Sequence, residues 1–390
     1  MSSVELPLKG VTVVDVSHLA AGPWCTMVLA DLGADVIKIE RPDVGDMSRQ
    51  AGGVYAGEES AVFLSFNRNK RSVALDLKDP RGLEILHRLV ERADVFVENL
   101  RAGKTKQLGI DYATLSALRP DLVYASISAF GDDGPYVDLP GNDPIIQALS
   151  GAMDLTGEHD GPPARQGVSV PDFGAGMMAA FSIVAALFGR QTTGSGRKLD
   201  LNLLDVEIFA LGPRAQEHLI TGEDQPRLGS AHPQFAPYQA FRCRDDRYLY
   251  IAAINEKFWH LLCKALETPE LAQDQRYATN PDRCRNRKAL VATLEEVLAD
   301  RDRDDWLELL GEHGVPCGAV NSLTEAMRDP QVLHNELLQQ VAHPGLGEFT
   351  TVALPLHING LRAPIRSAPP RLGEHTDEVL AEFGIEVSRS

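Results

Sequence analysis

Asp172 stands in the run Val170-Pro171-Asp172-Phe173-Gly174, directly ahead of the apolar stretch 173–188. A carboxylate between a loop and a helix start has two uses. It can cap the helix by accepting a free backbone N–H. It can also attack an activated acyl group while nearby backbone N–H groups stabilise the oxyanion. Asn142 and Asp143, followed by Gln147 and Gly151, form a second polar start, read either as a cap with an exposed turn or as partners for Asp172. His18 follows the first apolar run and reads as a wall residue or a ligand contact. Cations recur beside expected strand ends: Lys38 and Arg41, then Arg68, Lys70 and Arg71, then Arg101, Lys104 and Lys106. In an open α/β sheet such positions suit phosphate oxygens, and the alternative is solvated surface charge. The histidines show no metal spacing, so no metal site is expected. The first apolar run leads to His18-Leu19-Ala20-Ala21-Gly22-Pro23 rather than G-x-G-x-x-G, and no Walker A, H-E-x-x-H or G-x-S-x-G sequence occurs.

The elements that must position these residues alternate. Short β-branched or apolar runs at 10–16, 35–40, 94–98 and 122–128 predict buried strands, with 72–77 a strand or an edge segment. Helical patterns fall at 24–32, closed by Gly33, at 80–93, which opens on Pro80, and at 112–118. Strand–helix alternation of this kind predicts a mainly parallel sheet covered on both faces, an α/β fold. Further helices are expected at 143–153 and 173–188, while 199–210 is apolar and ambiguous between helix and strand. Residues 222–237 read as a linker. Beyond it a hairpin turn at 241–246, a strand at 248–253, helices at 256–265, 288–298 and 304–313, and a strand at 315–320 suggest a second unit, and 349–356 reads as a later strand. An extended tail at 363–370 and a helix at 376–383 complete the chain.

The chain has 390 residues, 44% hydrophobic and 24% charged, the balance of a globular protein with a sizeable core. Its formal charge of −17 makes a general nucleic-acid binder a poor expectation but leaves room for a phosphorylated ligand on a local basic patch. Five scattered cysteines without a C-x-x-C pair point to a reducing compartment with neither a disulfide framework nor a thiolate zinc site. With no secretory signal pattern and an apolar stretch too short to span a bilayer, a cytoplasmic protein without membrane association is expected.

An ordered set of short motifs carries a resemblance. It runs through Gly22-Pro23, Leu29-Ala30-Asp31-Leu32-Gly33-Ala34-Asp35-Val36-Ile37-Lys38, Glu40-Arg41-Pro42, Gly45-Asp46 and Arg49. It continues through Asn67-Arg68-Asn69-Lys70, Asp94-Val95-Phe96-Val97-Glu98-Asn99, Gly103, Gly131, Gly134-Pro135 and Gln147-Ala148-Leu149-Ser150-Gly151, then Asp172, Gly314-Val315-Pro316 and Gly373-Glu374-His375-Thr376. In this order and over nearly the whole chain, the set resembles the class III CoA-transferases. That family also holds carnitine-related and bile-acid-inducible CoA-transferases, formyl-CoA transferase and α-methylacyl-CoA racemase.

The resemblance implies a Rossmann-like large domain not used for NAD and a smaller α/β domain, in two subunits interlocked as a homodimer. On this reading 1–221 begin the large CoA-binding domain, 222–330 form the linker and small domain, and 331–390 return to the large domain. It implies CoA thioesters as substrates with no prosthetic group, a free carboxylic acid as acceptor, and CoA contacts at His18, Arg41, Arg71, Asn99, Arg101 and Lys106. Asp172 matches the family's catalytic aspartate, which is acylated by the donor thioester, then carries CoA as an aspartyl thioester, and needs no ATP. Succinyl-CoA or another small dicarboxylyl-CoA is a plausible donor, with Arg165 a candidate to hold a second carboxylate. Racemisation of a 2-methylacyl-CoA is the nearest alternative; it is disfavoured because Asn142 stands where racemases carry a histidine base, and an amide does not serve as one. A CoA-binding protein without catalysis is the third reading.

Overall fold

A computed structural model describes residues 5–385. Contacts divide the chain into a large unit, built from the stretch up to Ala152, Arg165–Glu223 and the stretch from Pro330, and a smaller unit of Met153–Ala164 and Asp224–Asp329. Residues 153–164 thus join the smaller unit from inside the stretch read as large domain. Arg227 pairs with Asp154 at 2.6 Å, and Gly229 N–H donates to the Gly157 carbonyl, fastening this excursion to the chain after residue 224. Residues 386–390 of the returning C-terminal segment lie outside the described residues.

In the large unit six strands form one parallel sheet: β1 (Thr12–Asp15), β2 (Asp35–Glu40), β3 (Lys70–Ala74), β4 (Val95–Glu98), β5 (Val123–Ser128) and β6 (Arg197–Asn202). The order β3-β2-β1-β4-β5-β6 is that of a dinucleotide-binding sheet, in which the direction of winding reverses between β1 and β4. The strand residues alternate between two cores. Val13, Val36, Val95 and Val97 face α1 (Ala21–Asp31), while Val14, Ile37 and Phe96 face α2 (Pro80–Val90) and α3 (Tyr112–Leu118). Such two-sided burial is why these strands read as continuous apolar runs.

The helix read at 143–153 is shorter, α4 (Asp143–Leu149), because Gly151 adopts φ +87° and breaks it. The helix read at 173–188 is longer, α5 (Val170–Thr193), and by length and composition could cross a membrane. Here Ala175, Ala179, Ile183 and Leu187 bury one face of it in the core against α1. Gly176 permits the close approach, since a Cβ there would lie 2.7 Å from the Ala21 carbonyl oxygen. The ambiguous run 199–210 divides into the end of β6 and α6 (Leu203–Ala210), with Asn202 capping the helix through its side chain. A further helix, α7 (Pro213–Thr221), follows.

The C-terminal stretch closes the exposed edge of the sheet. His375 N–H donates to the Ser72 carbonyl, Ala74 N–H donates to Thr376 Oγ1 at 3.0 Å, and the final helix (Thr376–Glu382) buries Val379 and Leu380 in the second core. Gly373-Glu374-His375-Thr376 therefore covers the unpaired side of β3, which would otherwise be open to pairing.

The smaller unit holds a three-stranded antiparallel sheet packed by helices around Trp259, Leu262, Leu290, Leu294 and Trp306. Its 232–237 loop is fastened from below: Arg283 Nε donates to the Ala236 carbonyl at 2.7 Å and Arg287 to the Phe235 carbonyl at 3.0 Å.

Candidate active site

The loops that leave the carboxyl ends of β1, β4 and β5, with the starts of α4 and α5, enclose a cavity of about 190 Å³. His18 comes from the β1 loop, Asn99 and Arg101 from the β4 loop, Asn142 from the start of α4 and Asp172 from the first turn of α5. The position, beside the reversal between β1 and β4, is where open α/β sheets hold ligands. Ala20 and Ala21 add the start of α1, which has no side-chain cap, so backbone N–H groups there stay available.

Asp172 is not the helix cap. Ser169 takes that place, and no side-chain hydrogen bond to Asp172 appears among the described residues. Burial, then the neighbouring charge of Asp143, pushes its carboxyl up to about 6. Asp143 is itself held by Gln147, whose Nε2 donates to it at 2.6 Å while Oε1 accepts the Gln166 N–H at 2.9 Å. Gln147 thus links α4 to the segment that leads into Asp172. Asn142 caps α4 by accepting the Ile145 N–H.

His18 lines this cavity and also a second one of about 520 Å³, where Arg41, Lys78 and Lys104 gather. Lys78 and Lys104 continue into an open recess of about 600 Å³ with Lys106. Burial, then the charge of Lys38, lowers the His18 pKa, so the ring is neutral near pH 7, and its Nδ1 is buried without a hydrogen-bond partner. Arg41 is exposed and pairs with Asp43 at 2.8 Å.

The cationic run 67–71 does not reach these cavities. Arg68 binds Asp31 at 2.5 Å, Lys70 lies 3.3 Å from Asp15, and Arg71 pairs with Asp35, Glu378 and Glu382, fastening the final helix to β3. In the fold Arg68, Lys70 and Arg71 are thus paired with carboxylates. Arg165 is exposed, donates to the Gln166 carbonyl and is not part of the cavity wall; Arg101 is the guanidinium that lines it. One cavity-lining residue was missed in the sequence. Lys78 follows β3, and the strand-end rule that drew attention to Arg41 would have found it. Glu98, part of the motif run that ends at Asn99, is pushed by burial up to about 7 and accepts the Leu100 N–H at 2.8 Å.

The family model for CoA-transferase family III matches residues 8–376. The chain belongs to CoA-transferase family III. It is 40% identical to the succinyl-CoA:glutarate CoA-transferase of Mus musculus, over 96% of this chain and 86% of that protein. It is 37% identical to the succinate–glutarate CoA-transferase of Agrobacterium fabrum, over 98% and 97%. A crystal structure of a CAIB/BAIF family protein from Brucella suis superposes with a TM-score of 0.87 at 38% identity, covering 97% of this chain and 99% of that one. This class III enzyme transfers CoA from a thioester to a carboxylic acid. Capping by Asn142, with no histidine at that position, agrees with transfer rather than racemisation.

Proposed function

We propose that Asp172 is the nucleophile of this transferase and that its donor is succinyl-CoA or a similar dicarboxylyl-CoA. One observation carries the first part: a carboxylate with no hydrogen-bond partner among the described residues shares a cavity with the start of α1, which has no side-chain cap. An Asp172 oxygen attacks the thioester carbonyl carbon, the C–S bond breaks, and CoA leaves as the thiolate. The product is a mixed anhydride, and N–H groups at the start of α1 are suited to the oxyanion that precedes it. The thiolate then attacks the Asp172 carbonyl and releases the donor acid, leaving an aspartyl-CoA thioester. The acceptor carboxylate attacks this thioester, and CoA returns through a second anhydride. Oxidation states are unchanged and the thioester energy is conserved.

CoA would run from the cavity past His18 toward Arg41, Lys78, Lys104 and Lys106, whose charges suit its phosphates. The dicarboxylate donor is supported by the named relatives and by Arg101 in the cavity wall. Mixing the enzyme with succinyl-CoA and glutarate tests the pairing. Glutaryl-CoA should form with release of succinate. Exchange with monocarboxylates but with no dicarboxylate would reject this donor class.

The nucleophile must be ionised, so exchange should fall as pH drops below about 6. Asp143→Asn removes the charge that adds to this shift, so the acidic limb of the pH–rate profile should move to lower pH. A limb that stays in place would show that Asp143 does not act on Asp172.

We also propose that a second copy of the chain covers α5 to α7, in keeping with the interlocked homodimer. Phe188 is 75% exposed, Phe209 76% and Leu219 76%, an apolar face of the kind that marks an interface. Sedimentation should show a dimer, and Phe188→Glu should weaken it. A wild-type monomer at micromolar concentration would contradict this.

A further inference from the structure

We propose that Asn99 is a positioning residue: its carboxamide latches the main chain of His18 across the β1–β4 reversal and so fixes the floor of the cavity that holds Asp172. Asn99 Oδ1 accepts the His18 N–H at 2.8 Å, and Asn99 Nδ2 donates to the His18 carbonyl at 2.8 Å. One side chain thereby makes both hydrogen bonds that a neighbouring strand residue would make. The ladder's last backbone rung in this direction is Val16 N–H to the Val97 carbonyl, at 2.9 Å. The carboxamide adds one more beyond it, where the two strands part around the ligand site.

The rest of the 17–20 segment is held in the same manner. Lys38 Nζ donates to the Ser17 carbonyl at 2.9 Å, Ser17 N–H donates to Asp15, and Leu19 N–H donates to Asp46 Oδ1 at 3.0 Å. Leu19 is forced to φ +64°, a conformation that a leucine adopts only when its surroundings impose it. The first turn of α1 rests on this segment, since a Cβ at Gly22 would lie 2.2 Å from Ser17 Cβ and 3.5 Å from Asn99 Cγ. The latch therefore sets both the His18 ring, which stands at the junction of the two cavities, and the N–H groups at the start of α1. Both carboxamide atoms hold the His18 main chain, so Asn99 acts on the reaction through His18 and α1.

The inference rests on the proposed acyl transfer, and its test separates the two. Asn99→Ala loses both bonds; Asn99→Asp keeps the acceptor for the His18 N–H and loses the donor. Three quantities are read on wild type and variants: affinity for CoA by calorimetry, the rate of single-turnover modification by succinyl-CoA, and hydrogen exchange of the 17–20 amides. Modification should slow by about 100-fold in Asn99→Ala, the scale of a small misplacement of reacting groups, and by less in Asn99→Asp. Exchange of the His18 and Leu19 amides should quicken, and CoA affinity should fall by less than the ~10-fold expected for loss of a direct hydrogen bond. A ~10-fold or larger loss of CoA affinity with unchanged 17–20 exchange would overturn the latch and make Asn99 a ligand. Unmodified wild type would overturn the acyl-transfer reading instead, and amide exchange would still judge the latch.

Discussion

Asp172→Asn is expected to lower CoA exchange by about 10⁴-fold or more, the scale of losing a covalent nucleophile, while the fold persists. The amide matches the carboxylate in shape but cannot form the anhydride. Nothing structural depends on the charge: Ser169 holds the cap position, and no hydrogen bond to Asp172 is seen among the described residues. The stability consequence has a definite sign. The folded protein raises this carboxyl from its ordinary 3.8 to about 6. The favourable contribution of the protonated form is therefore complete below the ordinary value and is lost as pH rises through about 6. At pH 8 the variant should melt above the wild type, and the gap should close as pH falls toward 4. Thermal scans at the two pH values beside an exchange assay check both halves. A variant that keeps about 1% of exchange or more would remove Asp172 from the nucleophile's role.

Lys38→Met should cost about 3–5 kcal/mol of stability in the large unit, the scale for breaking a buried ion pair from one side. Lys38 lies 2.7 Å from Asp46 and 3.9 Å from Asp15, and all three side chains are inaccessible to solvent. Burial pushes the Asp15 carboxyl up, but Lys38 and Lys70 overcome it and hold it at about 2. Burial likewise opposes Asp46, and Lys38 prevails, keeping it well below the carboxylate range. Both acids thus contribute stability above their unfolded values that is lost as pH falls from about 4 toward 2. Without Lys38, Asp46 loses its ion-pair partner, so the variant should unfold at lower urea and with a blunted acid dependence. A loss below about 1 kcal/mol, the range of an exposed pair, would contradict the central place of Lys38. The same ammonium binds the Ser17 carbonyl, so the variant should also lose activity.

The strands that carry the site were legible because both sheet faces are buried, which writes runs such as Val13-Val14 and Val95-Phe96-Val97 into the chain. Asp172, His18, Asn99 and Arg101 were legible as a set only through the family motifs, since no local pattern says which loops meet. The pairing of the cations at 67–71 was not legible for the same reason. Their carboxylate partners lie at Asp15, Asp31, Asp35, Glu378 and Glu382, tens to hundreds of residues away. The Asn99 latch spans 81 residues and has no sequence signature at all. Helix ends moved where a single residue decided them: Gly151 ended α4 early, and the helix before Asp172 began at Val170 rather than Phe173.

Mass spectrometry of the Asp172 peptide after brief mixing with succinyl-CoA tests the central claim most directly. A CoA-sized adduct should be found on Asp172, should disappear when glutarate is added, and should be absent from Asp172→Asn. Exchange of CoA between succinate and glutarate with no adduct on that peptide, or an adduct on another residue, would contradict catalysis through Asp172.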